Sequence, residues 1–219
     1  MNRLLFKKTG NAIWISHLDL MRLFQRAFRR AGLPLTHTQG FNPRPSVSIA
    51  LPLSVGVSSD CELLDFSIDG VEVPCDEIKR RLNESLTDGI EVLEVYQNGR
   101  KIRDLTHLHT IVTMEYDNGI PEGAVSALQA LLERDTLVVP KKTKSGVQDQ
   151  DIIPMIKELK VIAAGEKEIN LDAVVCCQNP TLNPMQLPLA VEMHTPEFAP
   201  DFSKCCRIEI YDKQGNVFR

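Results

Sequence analysis

The chain has 219 residues, a hydrophobic fraction of 43%, a charged fraction of 25% and a formal net charge of −4 at pH 7. These are ordinary globular values, so we expect a packed core arranged as one large domain or two small ones. The sequence excludes a membrane span, which needs about 20 consecutive apolar residues, and charge follows the first apolar residues too closely for a secretory signal. We therefore expect a cytoplasmic protein with no membrane partner.

Charge is distributed unevenly along the chain. Residues 1–59 contain eight Lys or Arg and a single acidic residue, Asp19, a net charge of +7. The remainder has 17 basic and 28 acidic residues, a net charge of −11. A basic N-terminal part on an acidic body predicts one surface that faces an anion.

The first half of the sequence predicts the element order βαββαβ. Its best-defined helix begins after Ser16, an N-cap with Asp19 three positions later, and ends at Gly32 and Pro34. The other elements are strands over residues 4–8, 46–51, 62–68 and 91–96 and a helix over residues 74–82. This order is the split-βαβ pattern of a ferredoxin-like sandwich, which is an α+β fold.

The second half predicts another, more irregular set of α+β elements. Its strands are expected over residues 109–116, 136–139, 160–163, 173–176 and 207–211, and its helices over residues 121–134 and 151–159. The sequence therefore predicts two α+β domains, residues 1–102 and 103–219. A diverged ferredoxin-like unit is one interpretation of the second.

The six cysteines form two adjacent pairs and two single residues: Cys61, Cys75, Cys176, Cys177, Cys205 and Cys206. They have neither the C-x-x-C spacing of a metal site nor the density of a disulfide framework. We expect small, partly buried side chains in a reducing compartment and no metal or cofactor in this chain. The alternative, a thiolate or metal role, needs ligands from elsewhere in the fold.

The first helix carries four arginines on the side opposite its apolar residues: Arg22, Arg26, Arg29 and Arg30. Like charges at i,i+4 on a helix repel by a few tenths of a kcal/mol. Phosphate, or carboxylates of a partner or of this chain, would offset that repulsion. The alternative is an ordinary solvated helix face.

The loop over residues 39–45 follows as a second candidate, with five binding residues: Gln39, Gly40, Phe41, Asn42 and Arg44. Glycine, an aromatic side chain, an amide and a prolyl turn would suit stacking on a base or clamping a peptide. The alternative places Phe41 in the core.

A third basic segment contains Lys142 and Lys144. Its spacing is not that of a P-loop. Two interpretations remain, a ligand contact and a solvated loop. G-x-S-x-G, H-E-x-x-H and dinucleotide glycine motifs do not occur in the sequence. No catalytic constellation can therefore be assigned from the sequence.

Several motifs along the chain carry a family resemblance. They are I-S-H-L-D-L at residues 15–20, F-Q-R-A-F-R-R-A-G-L-P at 24–34, Q-G-F-N-P-R-P at 39–45, A-L-P-L-S-V-G-V at 50–57, K-T-K-S-G at 142–146 and D-I-I-P-M-I at 151–156. The chain resembles the radical-SAM-linked protein family, whose members occur beside, or fused to, a radical SAM protein. The resemblance implies a radical SAM partner that carries an iron–sulfur cluster and SAM. The C-x-x-x-C-x-x-C run that holds such a cluster is absent from this sequence.

Three functional hypotheses follow. The first is a non-catalytic accessory module that delivers an anionic substrate, for which RNA is one candidate, to a radical SAM partner; its surface would combine the arginines and the loop with Ser16, His17 and Asp19. The second is an enzyme that acts on RNA or a small phosphorylated substrate, with His17 as general acid or base. The third is a protein–protein adaptor that uses the acidic body.

Overall fold

The computed structural model describes residues 2–70, 72–143 and 146–219. The chain divides into two compact units: one ends at Asp104 and includes Arg219, and the other is Leu105–Phe218. Both units contain helices and antiparallel strands. The predicted α+β class is confirmed.

The first unit has the predicted order βαββαβ. Its elements are β1 (Asn2–Lys8), α1 (His17–Arg30), β2 (Val47–Ala50), β3 (Ser58–Phe66), α2 (Cys75–Ser85) and β4 (Ile90–Gln97). Strand β1 lies between β4 and β3, and β2 pairs with β3, all antiparallel. The ferredoxin-like assignment stays a prediction.

The core of the first unit lies between its helices and one face of its strands. Phe24 of α1 meets Phe6 of β1 in an edge-on contact with ring centroids 4.8 Å apart, and Phe28 lies 4.8 Å from Phe66 of β3. Each such aromatic pair contributes about 0.5–1.5 kcal/mol beyond the area it buries. These contacts fix which face of α1 points inward, and therefore which face remains in solvent.

The second unit begins with β5 and ends with β10. Its elements are β5 (Leu105–Glu115), α3 (Ala124–Leu132), β6 (Val138–Thr143), β7 (Gly146–Asp151), β8 (Ile156–Ala164), β9 (Glu168–Cys176), α4 (Gln186–His194) and β10 (Phe202–Asp212). Strands β10, β5, β9 and β8 pair antiparallel in that order, and β6 pairs with β7 as a separate hairpin.

The helix predicted over residues 151–159 is wrong. A 3₁₀ turn, Ile153–Met155, leads directly into β8. The apolar spacing that resembled a helix has another cause: Ile152 and Met155 are buried around the turn, while Leu159 and Val161 alternate with exposed residues along the strand. Pairing with β9, a later segment of the chain, decides the conformation.

Two further elements were not predicted. Strand β7 has a polar sequence, G-V-Q-D-Q-D, without the apolar alternation that marks a half-buried strand. Helix α4 contains Pro188 in its first turn, where proline is tolerated, and buries residues on most of its surface. Among the described residues no helix is both long and apolar enough to cross a membrane.

Candidate functional site: the arginine face of α1 and the loop after it

The N-terminus of α1 is capped as predicted. The backbone N–H of Asp19 donates to Ser16 Oγ at 3.2 Å, and Ser16 Oγ donates to Asp19 Oδ2 at 2.7 Å. Arg22 Nη1 donates to the other carboxylate oxygen, Oδ1, at 2.9 Å. The hydrogen bond from Ser16, followed by that from Arg22, lowers the pKa of Asp19 below its usual value.

The four arginines of α1 are exposed, while Leu20, Phe24, Ala27 and Phe28 form the buried face of the helix. Arg22 is engaged by Asp19, and Arg30 Nη2 donates to the carbonyl oxygen of Ser85 at 2.5 Å. Within residues 2–70, 72–143 and 146–219, neither Arg26 nor Arg29 has a hydrogen bond or an ion pair. We call the exposed side chains Arg22, Arg26, Arg29 and Arg30 the arginine face.

Fewer basic side chains of residues 1–59 are exposed than the charge count of the sequence indicates. Arg3 and Lys8 are buried in β1, at 3% and 1% exposure. Lys8 Nζ donates to the carbonyl oxygen of Ile13 at 3.1 Å, and burial lowers the pKa of Lys8. Lys7 is paired with Glu91 at 2.6 Å. The exposed positive charge of this segment therefore lies on the arginine face and at Arg44.

The loop after α1 is closed at its base by backbone contacts. His37 and Pro45 form an isolated antiparallel bridge, and the N–H of Thr38 donates to the carbonyl oxygen of Arg44 at 2.8 Å. Gly40 has φ +145°, a conformation that L side chains rarely adopt. The predicted binding residues all lie on the exposed part of the loop: Gln39, Gly40, Phe41, Asn42 and Arg44.

Phe41 is fully exposed, at 105% of its reference area. The alternative that places its ring in the core is therefore wrong. Exposure of an aromatic ring to water is unfavourable, and Phe41 has no burial that would offset this cost. The ring is free to stack on a planar or apolar group of a ligand.

A groove of about 320 Å³ separates the last turns of α1 from the base of this loop. It is lined by Gln25, Phe28, Arg29, Gly32, Leu33, Pro34, Leu35, His37 and Pro45. Gly32 ends the helix at φ +67°, and the N–H of Leu33 donates back to the carbonyl oxygen of Phe28 at 2.9 Å. This turn brings the chain back alongside α1, so that Arg29 and His37 line one groove.

Gln25 and His37 are groove residues that the sequence analysis did not assign to the site. Gln25 precedes Arg29 by one helical turn, and this i,i+4 spacing puts both on one side of α1. From this spacing the sequence could have placed Gln25 beside Arg29. His37 carried no comparable signal, because its place in the groove depends on the turn at Gly32 and on the bridge to Pro45.

His17 and the predicted lysines lie elsewhere. His17 is the first residue of α1, about 18 Å along the helix axis from Arg29 at 1.5 Å per residue. In the described part of the chain its imidazole has no hydrogen-bond partner. Lys142 is exposed on β6 in the second unit, and Lys144 lies outside the described residues.

The six cysteines are free thiols, and Cys61, Cys177 and Cys205 are buried. Burial raises the pKa of Cys177 to about 12 and that of Cys205 to about 11. Such thiols stay protonated at neutral pH and are poor nucleophiles. No group of three or more His, Cys, Asp or Glu side chains is placed to hold a metal ion in the chain as far as the structure describes it.

Comparison with solved structures concerns the fold alone. A chain in the crystal structure of a Cbf5-Nop10-Gar1 complex matches 95% of this chain with a TM-score of 0.53 at 7% sequence identity. The present chain spans about half, 48%, of that chain. The crystal structure of an unknown protein from Galdieria sulphuraria aligns over 94% of this chain and 96% of its own, at 13% identity; its TM-score of 0.26 carries no argument about fold.

Sequence comparison identifies the family. No curated protein matches the chain. A family model described as "Uncharacterized protein conserved in bacteria (DUF2344)" matches residues 2–184, which include all of the first unit's helices and strands and the groove. The chain belongs to this DUF2344 family.

Proposed function

We propose that this protein is a non-catalytic accessory module that binds single-stranded RNA through the arginine face of α1 and the loop over residues 39–45. The RNA would be presented to a radical SAM enzyme that carries its own iron–sulfur cluster and SAM. The partner assignment is supported by the sequence resemblance to radical-SAM-linked proteins. The choice of ligand is supported by the geometry of the first unit.

The proposal rests on two exposed arginines, Arg26 and Arg29, which have no hydrogen bond or ion pair with any residue that the structure describes. The arginine face holds two like-charge pairs at i,i+4, Arg22–Arg26 and Arg26–Arg30, and each costs a few tenths of a kcal/mol. Asp19 forms a direct ion pair with Arg22 and acts on Arg26 through a weaker Coulombic attraction. An anionic ligand would offset the repulsion along the rest of the helix, and guanidinium groups match phosphate oxygens well.

The shape of the surface favours a strand over a single phosphate. Arg22 and Arg29 are about 10 Å apart along the helix axis, so the arginine face is an extended line of positive charge. Beside them, the groove at Arg29 offers polar groups of Gln25 and His37 between apolar walls. Phe41 adds an exposed ring, and aromatic stacking contributes to single-strand binding without requiring one base identity.

The enzyme hypothesis with His17 as general acid or base gains no observation in its favour. A catalytic imidazole is usually oriented by a hydrogen bond to its second nitrogen. The nearest carboxylate in sequence, Asp19, is instead held by Ser16 and Arg22.

The proposal is tested by fluorescence anisotropy with a labelled RNA of about 12 nucleotides, a length within the range that single-strand binding sites cover. The test variant is the double substitution Arg26→Glu/Arg29→Glu. The matched control, Arg134→Glu/Lys213→Glu, makes the same change in net charge at two exposed residues of the second unit.

The wild type and the control should bind RNA with an affinity that falls steeply with salt. Each single-strand phosphate contact contributes about 0.7 to the slope of log K against log salt, so the test variant should lose about 1.4 from that slope. Equal binding by the test variant and the control would sink the RNA assignment. The partner is tested separately, by pull-down of the tagged protein from its own cells; absence of a radical SAM protein would remove that part of the proposal.

A further inference from the structure

Strand β8 is an open edge in the second unit. It is the last strand on its side of the sheet and pairs only with β9 in the part of the chain that the structure describes. Its nine residues, Ile156–Ala164, span about 30 Å at 3.3 Å per residue. A row of backbone N–H and C=O groups of this length is a template for pairing with another strand.

A groove runs along this edge. It has a volume of about 570 Å³ and is lined by β8, by Ile153 before it and by Gln129, Leu132 and Glu133 of α3. Strand β8 thus has free space along it where a further strand could lie. Leu159 and Val161 lie opposite the buried Ala173 and Leu171 of β9, and Glu158 and Lys160 lie opposite Val174 and Asp172 on the other face.

Glu158 and Lys160 are exposed, and neither forms an ion pair within the described residues. Asp172, which faces Lys160 across the strand pair, is already bound to His109, with Nε2 and Oδ1 2.7 Å apart. Glu158 and Lys160 therefore place one negative and one positive side chain, both without an ion-pair partner among the described residues, two positions apart on one face of the edge; Lys157 is exposed beside them.

We propose that β8 pairs antiparallel with β8 of a second copy of this chain, in the register that places Leu159 opposite Leu159. This register sets Glu158 opposite Lys160 of the second copy and Lys160 opposite Glu158, so that a two-fold axis generates two complementary pairs. Both pairs lie on the face away from α3, and the two Leu159 side chains meet on the face that α3 covers.

The neighbouring registers that keep the same faces together lack this complementarity. A register centred on Lys160 places two lysines opposite each other, and one centred on Glu158 does the same with two glutamates. Directly opposed like charges destabilise a strand pair. Of these three registers, only the one centred on Leu159 sets unlike charges opposite each other, so the charges on β8 favour it.

Lysines on an edge strand commonly protect it from pairing at all. Simple protection would be served by Lys157 and Lys160 alone, whereas Glu158 supplies a complementary partner for Lys160 in this one register. The dimer does not depend on the proposed RNA binding.

A charge-swap series measured by sedimentation equilibrium of the full chain tests this interface, over about 1–100 µM protein. The wild type should approach twice its chain mass of 24.6 kDa. Glu158→Lys and Lys160→Glu should each weaken the dimer about tenfold or more, because two attractive pairs become repulsive. An equimolar mixture of the two variants should form a heterodimer, and the double variant Glu158→Lys/Lys160→Glu should regain the wild-type association.

Both positions are exposed, so the substitutions should leave the fold intact. Thermal unfolding of each variant checks this. A wild type that stays monomeric over this range overturns the proposal. So does a dimer that neither single variant weakens, because it would use another surface, and so does failure of the mixture to associate.

Discussion

Arg3 of β1 lies directly opposite Asp65 of β3 and forms a bidentate ion pair with it inside the first unit. Arg3 Nε donates to Asp65 Oδ1 at 2.6 Å and Nη2 donates to Oδ2 at 3.0 Å. Arg3 Nη1 also donates to the carbonyl oxygen of Arg100 at 2.7 Å. The guanidinium therefore ties together two strands and the segment that follows β4.

Removing the carboxylate should leave the buried guanidinium without the Asp65 charge that it pairs with. We expect Asp65→Ala to lower the free energy of unfolding by about 3 kcal/mol. The control is the exposed pair of Lys7, on the same strand, with Glu91, and Glu91→Ala should cost much less because solvent screens an exposed ion pair. Urea unfolding measures both values, and equal losses in the two variants would contradict a buried role for Arg3.

The cap of α1 is also expected to contribute measurably to stability. Ser16→Ala removes the oxygen that accepts from the N–H of Asp19, and caps of this kind contribute about 1 kcal/mol. Ser16→Thr keeps a hydroxyl that can accept from this N–H and donate to the Asp19 carboxylate, and it should lose less. Urea unfolding of both variants decides the point: if alanine and threonine are equivalent, the Ser16 side chain does not act as the cap.

Helix α1 and its cap could be predicted from the sequence because their signals are local. Ser16, the apolar spacing and Gly32 all lie within one short segment, and the structure confirms each of them. The Arg3–Asp65 pair joins residues 62 positions apart, so no neighbouring residue marks it. It removes Arg3 from the positive surface that the charge count predicted.

The error at β8 and the open question at Phe41 have the same physical origin. Residues 151–159 have apolar spacing that fits a helix, and pairing with β9 makes the part from Ile156 onward a strand. At Phe41 the local sequence was equally compatible with a buried and an exposed ring. The path of the loop after Gly32 decides between them, and that path depends on tertiary contacts at His37 and Pro45.

The buried thiols give a prediction about alkaline pH. An ordinary cysteine pKa is 9.0, and burial raises that of Cys177 to about 12. Between these two pH values the thiol of Cys177 is deprotonated in the unfolded chain and protonated in the folded chain. The stability that Cys177 contributes is therefore complete below pH 9 and falls as the pH rises toward 12. Cys205, whose pKa is about 11, acts in the same direction.

Urea unfolding at pH 8, 9 and 10 under reducing conditions therefore measures how the free energy of unfolding changes with pH in the wild type and in Cys177→Ala. The variant should lose stability with pH less steeply than the wild type, by at most about 1.4 kcal/mol per pH unit, the effect of one proton. Cys75→Ala, a change at a half-buried residue at the start of α2, is the comparison. Identical slopes in the wild type and the Cys177 variant would show that this thiol is not protected by the fold.

The exposed ring of Phe41 separates stacking from charge in the proposed RNA binding. Because the side chain is fully exposed, Phe41→Ala should change the free energy of unfolding by no more than about 0.5 kcal/mol. The same change should weaken binding of a single-stranded RNA by about 1–3 kcal/mol, the contribution of one stacked base. Phe41→Trp keeps an aromatic face and should keep the affinity. The salt slope should stay at the wild-type value in both variants, because no phosphate contact is removed. Anisotropy titrations at two salt concentrations measure both quantities, and an alanine variant that binds as tightly as the wild type would leave the arginine face as the sole contact.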